Sequence, residues 1–290
     1  MTDLHTPIGA RRRLGAELRR LRTKSGLTLD QVADQMTCST SKISRLETGK
    51  GIPKAPDVRE LLRIYRVISE DERDLLLRLV HEGREHGWWE RLTEGVHPER
   101  FFLDAPDRYT SLESAASAVY SFEPAVLHGL LQTPDYTRAL MTVVLPHHEI
   151  HEIDRLVELR QQRQLALVER DPPLRLHAVV DEAVLHRAVG TPALMSAQLR
   201  AIVERSTLPN VTVQVMPFEQ GFHRAHVGSF VIIGFPREAG SDVVFIEGHG
   251  RDTYLESASD VDVYKDVFLD VVDRAHDPRT SRALIARHAQ

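Results

Sequence analysis

Two acids side by side and a third at the end of another apolar run stand where a ligand site would be built. Asp181 and Glu182 directly follow the β-rich run Leu174–Val180, and Glu247 ends the run Val243–Glu247. Ligands of parallel sheets bind at the carboxyl ends of strands. These three acids, with Arg187 and His226, are therefore candidates for a pocket that takes a small-molecule effector. The competing reading has Asp181 capping the helix that follows it, and both readings stay open in the sequence. His147 and His151 stand four apart, which is zinc-ligand spacing if one helix carries both, but no third ligand falls into place and a solvated helix end accounts for the pair. There is no Gly-x-Ser-x-Gly elbow, no phosphate-cradling glycine loop and no His-Glu-x-x-His. We expect no enzyme, no cofactor and no metal centre. Cys38 is the only cysteine, so an intramolecular disulfide is impossible and a reducing cytoplasm is the expected compartment. Its own expected role is that of a small, half-buried apolar residue.

The elements that must carry these residues differ in charge. Residues 1–66 hold 14 Lys or Arg against 7 Asp or Glu, a net of +7. The other 224 residues hold 23 against 35, a net of −12, and together these give the overall −5. A basic module on an acidic body is the footprint of a protein whose one part meets phosphate. No run approaches the ~18 apolar residues of a membrane span, and Met1–Pro7 lacks the apolar core of a secretion signal.

In the basic module Leu14, Leu18 and Leu21 recur at helical spacing and Gly26 is a C-cap candidate. Thr28 with Gln31 forms a capping-box pattern ahead of a helix through Met36. Ser39 is a second N-cap, starting a helix through Thr48 that Gly49 stops. On that helix Ile43 and Leu46 are apolar and the outer face carries short hydroxyls and cations. A fourth helix is expected over Asp57–Val67. A short helix, a tight turn and a polar second helix form the unit that fits a DNA major groove.

The spacing from Leu27 through Leu46-Glu47-Thr48-Gly49 resembles the xenobiotic-response-element type of helix-turn-helix shared with phage repressors. That resemblance implies base contacts by Thr40, Ser41 and Arg45, the last able to bond guanine in bidentate fashion. It implies phosphate contacts by Thr28, Ser39, Lys42 and Lys50, and a structural ion pair between Arg22 and Glu47. Thr37 stands where the family usually has Gly, often at positive φ, which is unfavourable for a β-branched residue.

Residues 70–105 read as a helical linker between a helix-turn-helix domain (1–69) and a C-terminal domain (106–290), with Trp88 and Trp89 expected to pack the two together. Helices are expected over Ser111–Tyr120, Thr133–Leu145 and His147–Val168. Four strands follow, at Leu174–Val180, Val211–Met216, Phe230–Gly234 and Val243–Glu247. A helix at Ser196–Thr207 separates the first two strands, as in a parallel βαβ unit. Helices over Val261–Ala275 and Pro278–His288 close the chain. The expected fold is an all-α helix-turn-helix head plus an α+β or α/β domain with a small mixed sheet flanked by helices. Four segments, 121–136, 180–190, 211–218 and 228–231, resemble the antitoxin-like or sensor domain of actinobacterial helix-turn-helix regulators. That family implies transcriptional control, often beside a small partner protein in an antitoxin–toxin-like arrangement. The expected partners are double-stranded DNA and, because one short recognition helix reads too few bases for genomic specificity, a second copy of the chain as a homodimer. The body is expected to supply dimerisation, sensing of an unidentified effector or protein docking. The alternative is an antitoxin-like protein that sequesters a small partner protein encoded nearby and regulates its own operon.

Overall fold

The structure, a computed structural model, describes residues 6–94, 106–248 and 252–290. The head is built of α1 (Pro7–Lys24), α2 (Leu29–Gln35), α3 (Thr40–Glu47), α4 (Ala55–Ile64) and α5 (Glu70–Glu82). Thr6, Thr28, Ser39 and Ser69 each accept a first-turn N–H at the start of α1, α2, α3 and α5, which satisfies donors that helices otherwise leave orphaned. The first four helices also end alike. One residue past each cap sits at positive φ, namely Gly26, Thr37, Gly49 and Arg66. Its N–H and the next return to carbonyls in the last turn, for example Thr37 N–H to Asp34 and Cys38 N–H to Ala33 at 3.1 and 3.0 Å. This is the Schellman closure, and at Thr37 it is made by a β-branched residue.

Leu14, Leu18, Val32, Ile43, Leu61, Leu62 and Leu76 form one buried cluster. At Gly15 a Cβ would lie 2.6 Å from the Leu46 and Glu47 carbonyls, so only glycine lets α1 come this close to the end of α3. Residue 70, where the linker is expected to begin, opens α5. Leu76, Leu79 and Val80 of α5 are buried with the head residues, because their helical spacing puts all three on one apolar stripe. A short α6 (Glu90–Thr93) then lays Trp89 and Leu92 into a cluster with residues of the body. The stretch 95–105, in which a domain boundary is expected, lies outside the described residues.

The body runs α7 (Pro106–Ala115), β1 (Ala118–Glu123), α8 (Pro134–Val144), α9 (Ile150–Gln164), β2 (Arg175–Asp181), α10 (Ala183–His186), α11 (Pro192–Arg205), β3 (Val211–Met216), β4 (Phe230–Gly234), β5 (Val243–Ile246), β6 (Thr253–Leu255), α12 (Ala258–Arg274) and α13 (Pro278–His288). The six strands form one mixed sheet in the order β3-β2-β1-β4-β5-β6. β1, β2 and β3 are parallel, and β4, β5 and β6 are added antiparallel. One sheet face packs on α7, α8, α11 and α13, the other on α12. The fold is an all-α head followed by an α+β domain whose mixed sheet is flanked by helices.

Two expectations for the body are corrected. Ser111–Tyr120 is not one helix: α7 stops at Ala115 and Ala118–Glu123 is a central strand. Val119 and Phe122 fall on opposite sheet faces, and both are covered, so β1 lacks the polar–apolar alternation of a one-sided strand. The long helix expected from His147 begins at Ile150, where Glu149 and Glu152 form the capping box. His147 therefore precedes α9 and does not share a helix face with His151.

Candidate nucleic-acid interface and ligand cavity

The first candidate site is the surface of α2 and α3. The end of α3 is tied to α1 by a buried ion pair: Arg22 Nε and Nη2 lie 2.6 and 2.9 Å from the two oxygens of Glu47. Arg22 Nη1 also donates to the Leu27 carbonyl at 2.9 Å, tying the α1–α2 turn into the same group. With Ile43 and Leu46 buried beneath α3, Ser41, Lys42 and Arg45 face outward. Thr40 is partly covered, and its hydroxyl donates to Asp30 at 2.7 Å. A base contact by Thr40 would therefore use its lone pairs or its methyl group. Thr28 and Ser39 spend an acceptor site on capping, taking Gln31 N–H and Lys42 N–H at 3.2 Å, and each keeps a proton to donate to a phosphate. Lys42 lies 2.8 Å from Asp57, and Lys50 lies 3.1 Å from Glu256 of the body. Both lysines are thus paired within the protein when DNA is absent.

The second candidate site is a cavity of about 130 Å³ between the sheet and the α7–α9 region. The register places two acids in it. Phe122 pairs with Phe230, so one step further sets Glu123 opposite Ser229. Val231 pairs with Phe245, so two steps further set Ser229 opposite Glu247. Glu123 and Glu247 therefore project from one sheet face at the carboxyl ends of β1 and β5. Around them stand Arg160 of α9, Gln132, and apolar walls from Leu140, Met141, Val144, Leu159 and Phe245. Burial first, and the neighbouring Glu247 second, push the Glu123 carboxyl well above the usual range. Burial and then Asp252 push Glu247 up to about 7, partly opposed by Arg160. Arg160 is itself brought down to about 10 by burial, then by Arg163.

A fully buried network forms the inner wall. Leu130 N–H donates to His128 Nδ1 at 3.2 Å, so the proton of the neutral ring is on Nε2 and points to Tyr109 Oη, 3.1 Å away. The Tyr109 proton is then free for Glu113, one helical turn on in α7. Glu113 receives Arg163 through two bonds of 2.7 and 2.8 Å. Burial lowers His128 to about 4, which keeps the ring uncharged at neutral pH. Although burial favours the neutral acid, the charge and hydrogen bonds of Arg163 hold Glu113 ionised, below its ordinary value. The loop that carries His128 is pinned by amides: Gln132, Gln164 and Gln198 donate to the carbonyls of Leu127, Gly129 and Leu131.

Of the five residues expected in an effector pocket, only Glu247 lines this cavity. Asp181 accepts Ala183 N–H at 2.8 Å, a cap at the start of α10. Glu182 holds Phe218 N–H at 2.9 Å, and Arg187 is exposed. His226 is exposed against the ring of Phe222. Asp181 ends β2, Glu182 and Arg187 flank α10 and His226 precedes β4, where local backbone N–H groups occupy the two acids. The cavity residues that sequence reasoning missed are Glu123, His128, Gln132, Arg160 and Tyr109. The signal was within reach, since three of them fall in the 121–136 segment as isolated polar residues among apolar ones.

An exposed polar helix braced by a buried ion pair, on a five-helix head, defines a helix-turn-helix DNA-binding module. A helix-turn-helix domain model matches residues 13–76 of the chain. A model of a domain of unknown function, DUF5753, matches residues 106–287, and the protein belongs to that family. No curated protein and no solved structure matches the chain. Among the described residues no helix is long and apolar enough to cross a membrane, and no group of three or more His, Cys, Asp or Glu could hold a metal ion.

Proposed function

We propose that the protein is a sequence-specific regulator of transcription of the xenobiotic-response-element type, whose body senses a small molecule and assembles a homodimer. The observation that carries the reading is the outward face of α3, on which Ser41, Lys42 and Arg45 are exposed while Arg22 and Glu47 fix the helix from behind. In this reading Thr40, Ser41 and Arg45 meet base edges, and Thr28, Ser39, Lys42 and Lys50 meet phosphates. One short recognition helix reads too few base pairs for genomic specificity, which is the reason for a dimer on two half-sites. The cavity beside Glu123 and Glu247, rather than the turns at Asp181 and His226, is where the body would sense its effector.

Selection of binding sequences from a random DNA pool by the purified full-length chain tests the reading. The expected outcome is a recurrent, two-fold symmetric site with half-sites about one helical turn apart. Recovery of no enriched sequence by a folded protein would overturn it.

A further inference from the structure

We propose that the cavity between the sheet and α7–α9 binds a small organic cation, an ammonium group carried on an apolar body, with Glu123 and Glu247 as its counter-charges. This deepens the effector-sensing part of the function proposed above. Three observations carry it. Glu123 is only 7% exposed and lines the cavity, yet no Lys or Arg among the described residues is in ion-pair contact with it. Its polar neighbours are the Glu247 carboxyl, the Ser121 hydroxyl and, without an ion-pair contact, the Arg160 guanidinium. A carboxylate so placed must hold a proton or meet a cation.

The balance of charge around it is the second observation. Arg163 is fully committed to Glu113 through two hydrogen bonds, so among the described residues Arg160 is the cation that faces the two acids. Its Nη1 donates to Gln132 Oε1 at 2.6 Å. Among the described residues the carboxyl groups of Glu123 and Glu247, with Asp252 beside Glu247, outnumber that guanidinium, and a monovalent cation moves the site toward balance.

The third observation is the wall. Leu140, Met141, Val144, Leu159 and Phe245 carry no side-chain oxygens, so this side cannot help complete the shell of six or more that a calcium or magnesium ion needs. The apolar side suits alkyl carbons instead, and it leaves the charged end to the acids. A water's share of liquid volume is about 30 Å³, so 130 Å³ admits about four of them, or a small amine of similar bulk. Arg160 Nε, buried without a hydrogen-bond partner among the described residues, adds one donor that a hydroxyl or ether oxygen on the ligand would satisfy.

Titration calorimetry of the full chain without DNA is the test, with n-butyl-, n-hexyl- and n-octylammonium as probes and the alcohol and carboxylate of each length as controls. At least one ammonium should saturate a single site, with the matching alcohol at least tenfold weaker and the carboxylate weaker still. Glu123→Gln and Glu247→Gln should each weaken the ammonium tenfold or more while leaving the alcohol unchanged. Val144→Phe, which fills the apolar side, should weaken both. Binding of no ammonium would overturn the proposal, as would equal binding of alcohol and ammonium, or Gln variants that bind like the parent. Preferred binding of the carboxylate would assign the cavity to Arg160 and overturn it equally. Because DNA is absent, any of these failures leaves the DNA-binding reading intact.

Discussion

Arg45 and Lys42 sit three residues apart on α3 and are both exposed, yet their proposed work differs in kind. A guanidinium that bonds guanine O6 and N7 discriminates between bases, worth about 1–3 kcal/mol at its position, whereas an ammonium on phosphate does not. Arg45→Ala should therefore flatten sequence preference at one or two positions of the selected site. Lys42→Ala should lower affinity for all sequences alike and reduce the slope of log K against log salt by about one. Binding measured on a panel of single-base variants at several salt concentrations separates the two. Glu247 makes a different claim at the same scale. Its folded pKa, about 7, is raised by burial and Asp252, above the ordinary 4.5. A raised carboxyl stabilises the fold fully below its unfolded pKa and loses that contribution as pH rises through the folded value. The groups facing it are Glu123, Asp252 and Arg160. The melting temperature of the parent relative to Glu247→Gln should thus fall between about pH 4.5 and 7 and level off above, corresponding to about 1–3 kcal/mol.

Among the elements, the α2–α3 turn is where the backbone is most taxed. Thr37 holds φ of 49°, a region that costs a non-glycine residue roughly 1–2 kcal/mol. Thr37→Gly removes that strain but adds freedom to the unfolded chain, which returns about 0.5–1 kcal/mol. The expected net is a gain of up to about 1 kcal/mol, seen as a higher denaturant midpoint with unchanged slope. Arg66 ends α4 in the same way at φ of 55°. Here lies the limit of what the residues disclose. Gly26 and Gly49 announce their turns because glycine favours positive φ, but Thr37 and Arg66 adopt it only because the helices around them leave no other closure. The head is otherwise legible from its caps and leucine spacing. The body is less so. β2, β3, β4 and β5 stand out as apolar runs between turn residues, while β1 was masked because Leu112, Ala115, Ala116 and Val119 continue a helical spacing through the Ser117 turn. β6, at three residues, is too short to show any period. The site follows from the same cause. Glu247 was visible as the end of a legible strand, and Glu123 was hidden with the strand that carries it.

At the scale of the whole molecule, the head is fastened to the body through Arg12 of α1 and through Lys50, a proposed phosphate contact. Arg12 of α1 is buried, stacks 3.8 Å over Phe235, and donates to the carbonyls of Ala239 and Ser241. Beside it Glu256 holds two cations at once, Lys50 at 3.1 Å and Arg108 at 3.2 Å. Arg108 lies 3.8 Å over the Tyr254 ring, and its neighbour Tyr109 lines the ligand cavity. A single carboxylate therefore joins the proposed phosphate contact of the head to the helix that walls the cavity. If Lys50 must leave Glu256 to reach a phosphate, the ion pair competes with DNA, and an exposed pair of this kind is worth at most about 1 kcal/mol. Glu256→Gln should then raise affinity for the selected site by up to about fivefold at low salt. It should also steepen the salt dependence by no more than one phosphate's worth. Lys50→Ala should abolish that gain, so that the double variant binds no better than Lys50→Ala alone. Additive effects in this cycle would mean that Glu256 acts on DNA only as a remote negative charge. Non-additive effects would place the switch between body and head in one ion pair, within reach of whatever moves α7.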